Sequence, residues 1–163
     1  MAVVKSFPDK LKQGQELETL LIPQLELLFE GYEFTDQRHQ QRDEDNLQVP
    51  DFFGYNYTLK QQIFVDAKCR NEYTNNETGI DGYYGIDEWI WKDYNLYSYK
   101  HECPVLIVFW NKVIDNGHVY ILNVDEKPCW TKFYKNSHTR FQNTREMVYR
   151  WHKDKLVKRK LNR

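Results

Sequence analysis

Val49-Pro50-Asp51-Phe52-Phe53 and, after a short interval, Ile63-Phe64-Val65-Asp66-Ala67-Lys68-Cys69-Arg70 are the stretches on which the fold of this chain turns. The second is a short apolar run with the length and β-branched content of a buried strand. Side chains alternate along a strand, so Phe64, Asp66, Lys68 and Arg70 share one face, and Ile63, Val65, Ala67 and Cys69 share the other. The latter set is apolar and belongs to a core. The former carries a carboxylate and an ammonium two residues apart, roughly 6–7 Å along the strand. Charges in the middle of a buried strand are costly unless they pair or bind a metal. This pair therefore says more about function than any exposed charge in the chain.

Phosphodiester hydrolysis fits these groups. Asp51 and Asp66 are hard oxygen ligands of the kind that Mg²⁺ takes alongside substrate phosphate and water. A metal so held activates a bound water and neutralises charge developing on phosphate. Lys68 would orient that water and stabilise the transition state, and Arg70, on the same strand face, would contact a neighbouring phosphate.

Pro50-Asp51 followed by Asp66-Ala67-Lys68 resembles the signature of the PD-(D/E)XK nuclease superfamily, the group of restriction endonucleases and Holliday-junction resolvases. The resemblance implies an α/β/α sandwich with a central mixed sheet, the restriction-endonuclease-like core. It places the active-site residues on the second and third strands and implies Mg²⁺ as cofactor, with Mn²⁺ able to substitute. It also implies an acid from a helix before the first strand. The apolar-periodic segment from Gln13 through Leu25, Leu27, Leu28 and Phe29 predicts that helix, and Gly31 is its C-terminal glycine. Pro23 should kink or divide it. The Gly-x-x-x-Glu spacing makes Glu18 the family's catalytic and metal-binding acid, with Glu16 as the alternative; a solvated acid on the helix face is the plainer reading of Glu18. In some members the helix after the third strand adds a further contact, and Lys92 stands at that place.

Pro104 to Trp110 is a near-continuous apolar run, expected of a strand covered on both faces. His118 to Val124 is another strand, and Asn116-Gly117 between them signals a hairpin. Ile86 to Lys100 has apolar residues at helical spacing. The expected order is helix, three strands, helix, two strands, terminal helix, which is the order of the family core. Asn75 to Gly85, polar and punctuated by glycines, reads as a loop beside the substrate or as a plain connector.

The chain has 163 residues, the size of one domain, with no linker, repeat or low-complexity tract. It is read as a single nuclease domain over 1–163. No apolar run is long enough to span a bilayer and no signal-peptide core is seen, so a soluble, cytoplasmic protein without a membrane partner is expected. Cys69, Cys103 and Cys129 form neither a disulfide framework nor a zinc motif. The net charge of −1 argues against a uniformly basic nucleic-acid binder. The basic residues instead gather in Arg150 to Leu161, read as a partly amphipathic helix. There Lys155, Lys158 and Arg159 would contact phosphates, or they form a solvated face.

The function expected is a Mg²⁺-dependent endonuclease acting on DNA, with RNA left open as substrate. Symmetric double-strand cleavage would need a homodimer, because one active site cuts one strand. The alternatives are a non-catalytic nucleic-acid-binding domain of the same fold, and an unrelated α/β domain in which Asp66 and Lys68 form a structural ion pair.

Overall fold

A computed structural model describes residues 22–70, 72–111, 117–135 and 145–161. A six-stranded mixed sheet forms the centre. Its strands are β1 (Glu33–Asp36), β2 (Phe52–Asn56), β3 (Gln61–Cys69), β5 (Val105–Trp110), β6 (His118–Asn123) and β9 (Val157–Lys160), in the order β1-β2-β3-β5-β6-β9. The β3–β5 pair is parallel and the others are antiparallel. A second sheet of β4 (Tyr83–Asp87), β7 (Trp130–Lys135) and β8 (Arg145–His152) runs in the order β4-β8-β7. Among the described residues the α-helices are α1, described over 22–28, and α2 (Glu88–His101).

The alternation in β3 builds two cores, one on each face. Ile63, Val65 and Ala67 pack with Phe52, Val108, Val119 and Leu25 of α1. Phe64, on the opposite face, packs with Ile107, Phe109 and Leu122 beneath Ile90, Tyr94 and Tyr97 of α2. Tyr84, Ile86 and Trp151 of the second sheet complete that side. The result is an α/β fold with a central mixed sheet and a helix on each face, as the resemblance implies. Gly31 lies past the end of α1 at φ 86°, a left-handed conformation that suits glycine. A side chain there would also meet Asn56 Nδ2 at 2.8 Å.

Two expectations are corrected. The C-terminal basic stretch is not a helix. Arg150 to His152 close β8, Lys153–Lys155 make one 3-10 turn, and β9 follows as an edge strand on β6. Lys155 therefore sits in the turn, and Lys158 and Arg159 on a strand. Val148, Tyr149 and Trp151 carry strand propensity, and β8 is paired on both sides, to β4 and β7. Arg150, read as part of a basic helix, is buried with its guanidinium 3.6 Å from the Tyr73 ring centre and 5.1 Å from that of Trp130. A planar, weakly hydrated cation tolerates that stacking. The second correction is that Tyr83 to Gly85 form a strand, so the polar loop ends before them.

The segment leading into Asp51 is clipped to α2. Asp93 Oδ2 accepts from the Gln48 N–H at 3.0 Å and pairs with Arg42 at 3.2 Å. Lys100 Nζ lies 3.0 Å from Asp43, 2.5 Å from Glu44 and 2.8 Å from Asp45. These three acids are close enough together to hold a metal ion, but the lysine ammonium already fills their centre. Burial pushes the Asp43 carboxyl up. Hydrogen bonds from the Leu47 and Asp45 N–H groups and from Lys100 outweigh this and hold it below its ordinary 3.8. A depressed folded-state pKa stabilises the protein above the unfolded value, and the stabilisation is lost as pH falls through the folded one. Lys100→Met should therefore lower the melting temperature at neutral pH, and the deficit should close as pH drops below 3.8. Melting curves of both proteins across pH check this; a deficit independent of pH would show that the knot contributes by packing alone.

Candidate active site

Strand β3 outruns β2, and the site forms in the resulting notch. The last β2–β3 pair at that end is Phe52 with Val65. Beyond it Pro50 has no N–H with which to continue a ladder. Asp51 takes over: its Oδ2 accepts from the Ala67 N–H at 3.1 Å. The carboxylate of Asp51 is thereby held beside β3 next to Asp66. On the other side β3 stays paired with β5 from Phe64 to Cys69, so the strand bearing Asp66 and Lys68 remains rigid.

Asp66 is 1% exposed, and Lys68 Nζ lies 2.9 Å from its Oδ2. That contact is a close ion pair that sets the ammonium against this buried oxygen. Burial would lower the Lys68 pKa, but the charges of Asp66 and Asp51 outweigh it and hold it above the ordinary lysine value. Lys68 is therefore a cation, suited to stabilising negative charge and not to removing protons. Two carboxylates converging at the β2–β3 notch, one of them buried, are the donor set of a hard divalent ion. The residues present fit such a metal.

Arg70 follows on β3, exposed, with its N–H donating to the Trp110 carbonyl at 3.1 Å. Lys92 forms an i,i+4 ion pair with Glu88 on α2. Glu18 and Glu16 lie outside the described residues. Lys155, Lys158 and Arg159 are exposed.

A polar group that sequence reasoning passes over stands past the end of β3. Glu72 Oε1 accepts from the Tyr84 hydroxyl at 3.3 Å and lies 3.4 Å from Lys153 Nζ. Burial, joined by the Glu72 charge, pushes the Tyr84 phenol up, so it stays protonated and donates. The sequence signal is faint: Glu72 continues the parity of Asp66, Lys68 and Arg70, but its partners are 12 and 81 residues away.

Among the described residues, no helix is long and apolar enough to cross a membrane. No family model matches the chain, and no curated protein matches it. Among solved structures the chain is similar to Hjc of Archaeoglobus fulgidus, a Holliday junction resolvase from an archaeal hyperthermophile. The similarity covers 86% of this chain and 93% of that one, with 9% identity and a TM-score of 0.48.

Proposed function

We propose that this chain is a metal-dependent nuclease, an endodeoxyribonuclease acting as one domain over residues 1–163. The observation that supports this most is the convergence of Asp51 and Asp66 in the β2–β3 notch, with Asp66 buried and Lys68 beside it. Asp51 and Asp66, joined by Glu18 from the upstream segment, would hold Mg²⁺ or Mn²⁺. A bound ion of this kind supplies an activated water and neutralises charge on the phosphate. The chain's own groups do the rest. The Ala67 N–H fixes the Asp51 carboxylate. Lys68, kept charged, stabilises the phosphate as negative charge builds. Arg70, at the exposed end of the same face, meets an adjacent phosphate, and Lys155, Lys158 and Arg159 are further cations available to a polyanion.

A non-catalytic nucleic-acid-binding domain of this fold has no chemical need for buried charge, which costs several kcal/mol per ion before compensation. The 2.9 Å Lys68–Asp66 contact favours a second reading, a purely structural ion pair. Incubating the purified protein with supercoiled, linear, branched and single-stranded DNA and with RNA, with and without Mg²⁺, separates them. Cleavage of a DNA substrate that stops on chelation is expected. Intact substrates under both Mg²⁺ and Mn²⁺ would overturn the nuclease reading in favour of the ion pair. Paired cuts on both strands would point to a two-fold dimer.

A further inference from the structure

Helix α2 buries one side and leaves an apolar row on the other. Ile90, Tyr94 and Tyr97 pack into the core. On the outward side Trp89, Lys92, Leu96 and Tyr99 follow at i, i+3, i+7 and i+10, the spacing of a seam between two helices. Leu96 is 56% exposed and Tyr99 86%. Trp89 is exposed in the same row, with the Arg42 guanidinium 5.3 Å from its ring centre. The outward face of a surface helix is ordinarily polar. Three large apolar side chains in one row mark a contact surface.

The row is symmetric along the helix. Trp89 and Tyr99 stand five residues to either side of Tyr94, and Lys92 and Leu96 stand two. A second copy lying antiparallel across a two-fold axis at Tyr94 places Trp89 against Tyr99 of that copy and Lys92 against its Leu96, and the axis repeats each contact. The lysine stem can cover the leucine while its ammonium stays at the rim. One turn further on, about 6 Å, the second copy carries Lys100 and its three acids.

The charges that flank the row choose this orientation. At its N-terminal end Lys92 is 59% exposed and its partner Glu88 25%, and Arg42 is likewise more exposed than Asp93. At its C-terminal end the order reverses: Glu44 is 74% exposed and Lys100 26%, and Asp45 is also more exposed than Lys100. Solvent therefore meets cations at one end and carboxylates at the other. Antiparallel docking sets each end against its opposite, whereas parallel docking would set like against like.

We propose that two copies of this chain associate through α2, antiparallel about Tyr94, with Trp89, Leu96 and Tyr99 forming the seam and Arg42 and Lys92 of one copy facing Glu44 and Asp45 of the other. The proposal is independent of the nuclease reading. Aromatic side chains cover roughly 150–250 Å² each, so the interface stands at the small end of the stable range. A reversible dimer with a micromolar Kd is expected.

The test is sedimentation velocity of the full chain over a range of concentrations, in EDTA, without DNA, and in reductant so that the exposed Cys129 forms no cross-link. Wild type should show a monomer–dimer equilibrium that salt weakens. Leu96→Glu/Tyr99→Glu should weaken it by at least ~10²-fold. Lys92→Glu and Glu44→Lys should each weaken it by about tenfold, since each sets like charges together twice across the axis. An equimolar mixture of these two variants should recover nearly wild-type affinity, because each supplies the charge that the other lacks. That recovery also shows that both variants fold. A wild type that stays monomeric, undiminished association of Leu96→Glu/Tyr99→Glu, or a mixture that associates no better than its components would each overturn the α2 dimer. Failure to cleave any substrate would bear on the nuclease reading alone.

Discussion

Mg²⁺ or Mn²⁺ should raise the melting temperature of the wild-type protein, and Asp66→Asn should abolish that rise together with any cleavage. Asp51 is held beside Asp66 by the Ala67 N–H, and the Asp66 carboxylate is buried. Like charges so placed repel, and a divalent cation relieves them. Binding to the folded state alone stabilises by mass action, about 2.7 kcal/mol at a hundredfold excess over Kd. In a chain of 163 residues that corresponds to roughly 5–10 °C. Asparagine keeps the shape of the side chain but removes its charge. Thermal melts of both proteins with and without metal check this; an undiminished metal response in Asp66→Asn would place the ion elsewhere.

Lys68→Ala should lower cleavage by at least ~10²-fold, the scale of losing one preorganised electrostatic stabiliser, and leave DNA binding in Ca²⁺ intact. The same change strips the cation 2.9 Å from a buried carboxylate, so the metal-free variant should melt lower than wild type. A divalent ion at Asp66 replaces part of the lost charge, so adding metal should narrow that gap. Single-turnover cleavage rates and melts with and without metal measure both effects. Wild-type cleavage in the variant would remove Lys68 from the chemistry. Loss of folding that metal does not relieve would instead mark the Asp66–Lys68 pair as structural.

Much of the local architecture is legible in the sequence. The alternation from Ile63 to Cys69 assigns each residue of β3 to the correct face, because a period of two leaves no freedom once one face is apolar. The apolar runs at Val105 and His118 likewise declare β5 and β6, and the helical spacing after Ile86 matches α2, which begins at Glu88. Pro50-Asp51 marks the point where β2 stops pairing with β3, since proline cannot extend the ladder.

The C-terminal stretch misleads for a physical reason. Its lysines and arginines suit an exposed helix as well as an edge strand, and β9 is settled by pairing with β6, about 40 residues earlier in the chain. Arg150 reads as a surface cation because only the folded chain brings Tyr73 and Trp130 to its two sides. Local periodicity is enough to specify strand β3, its two faces and the spacing of Asp66 and Lys68. What stands around them comes from long-range pairing: the Asp51 carboxylate taking over the ladder at Ala67, and the Glu72–Tyr84–Lys153 group. Those features depend on strand register and on contacts between residues far apart in the chain, which local periodicity does not encode.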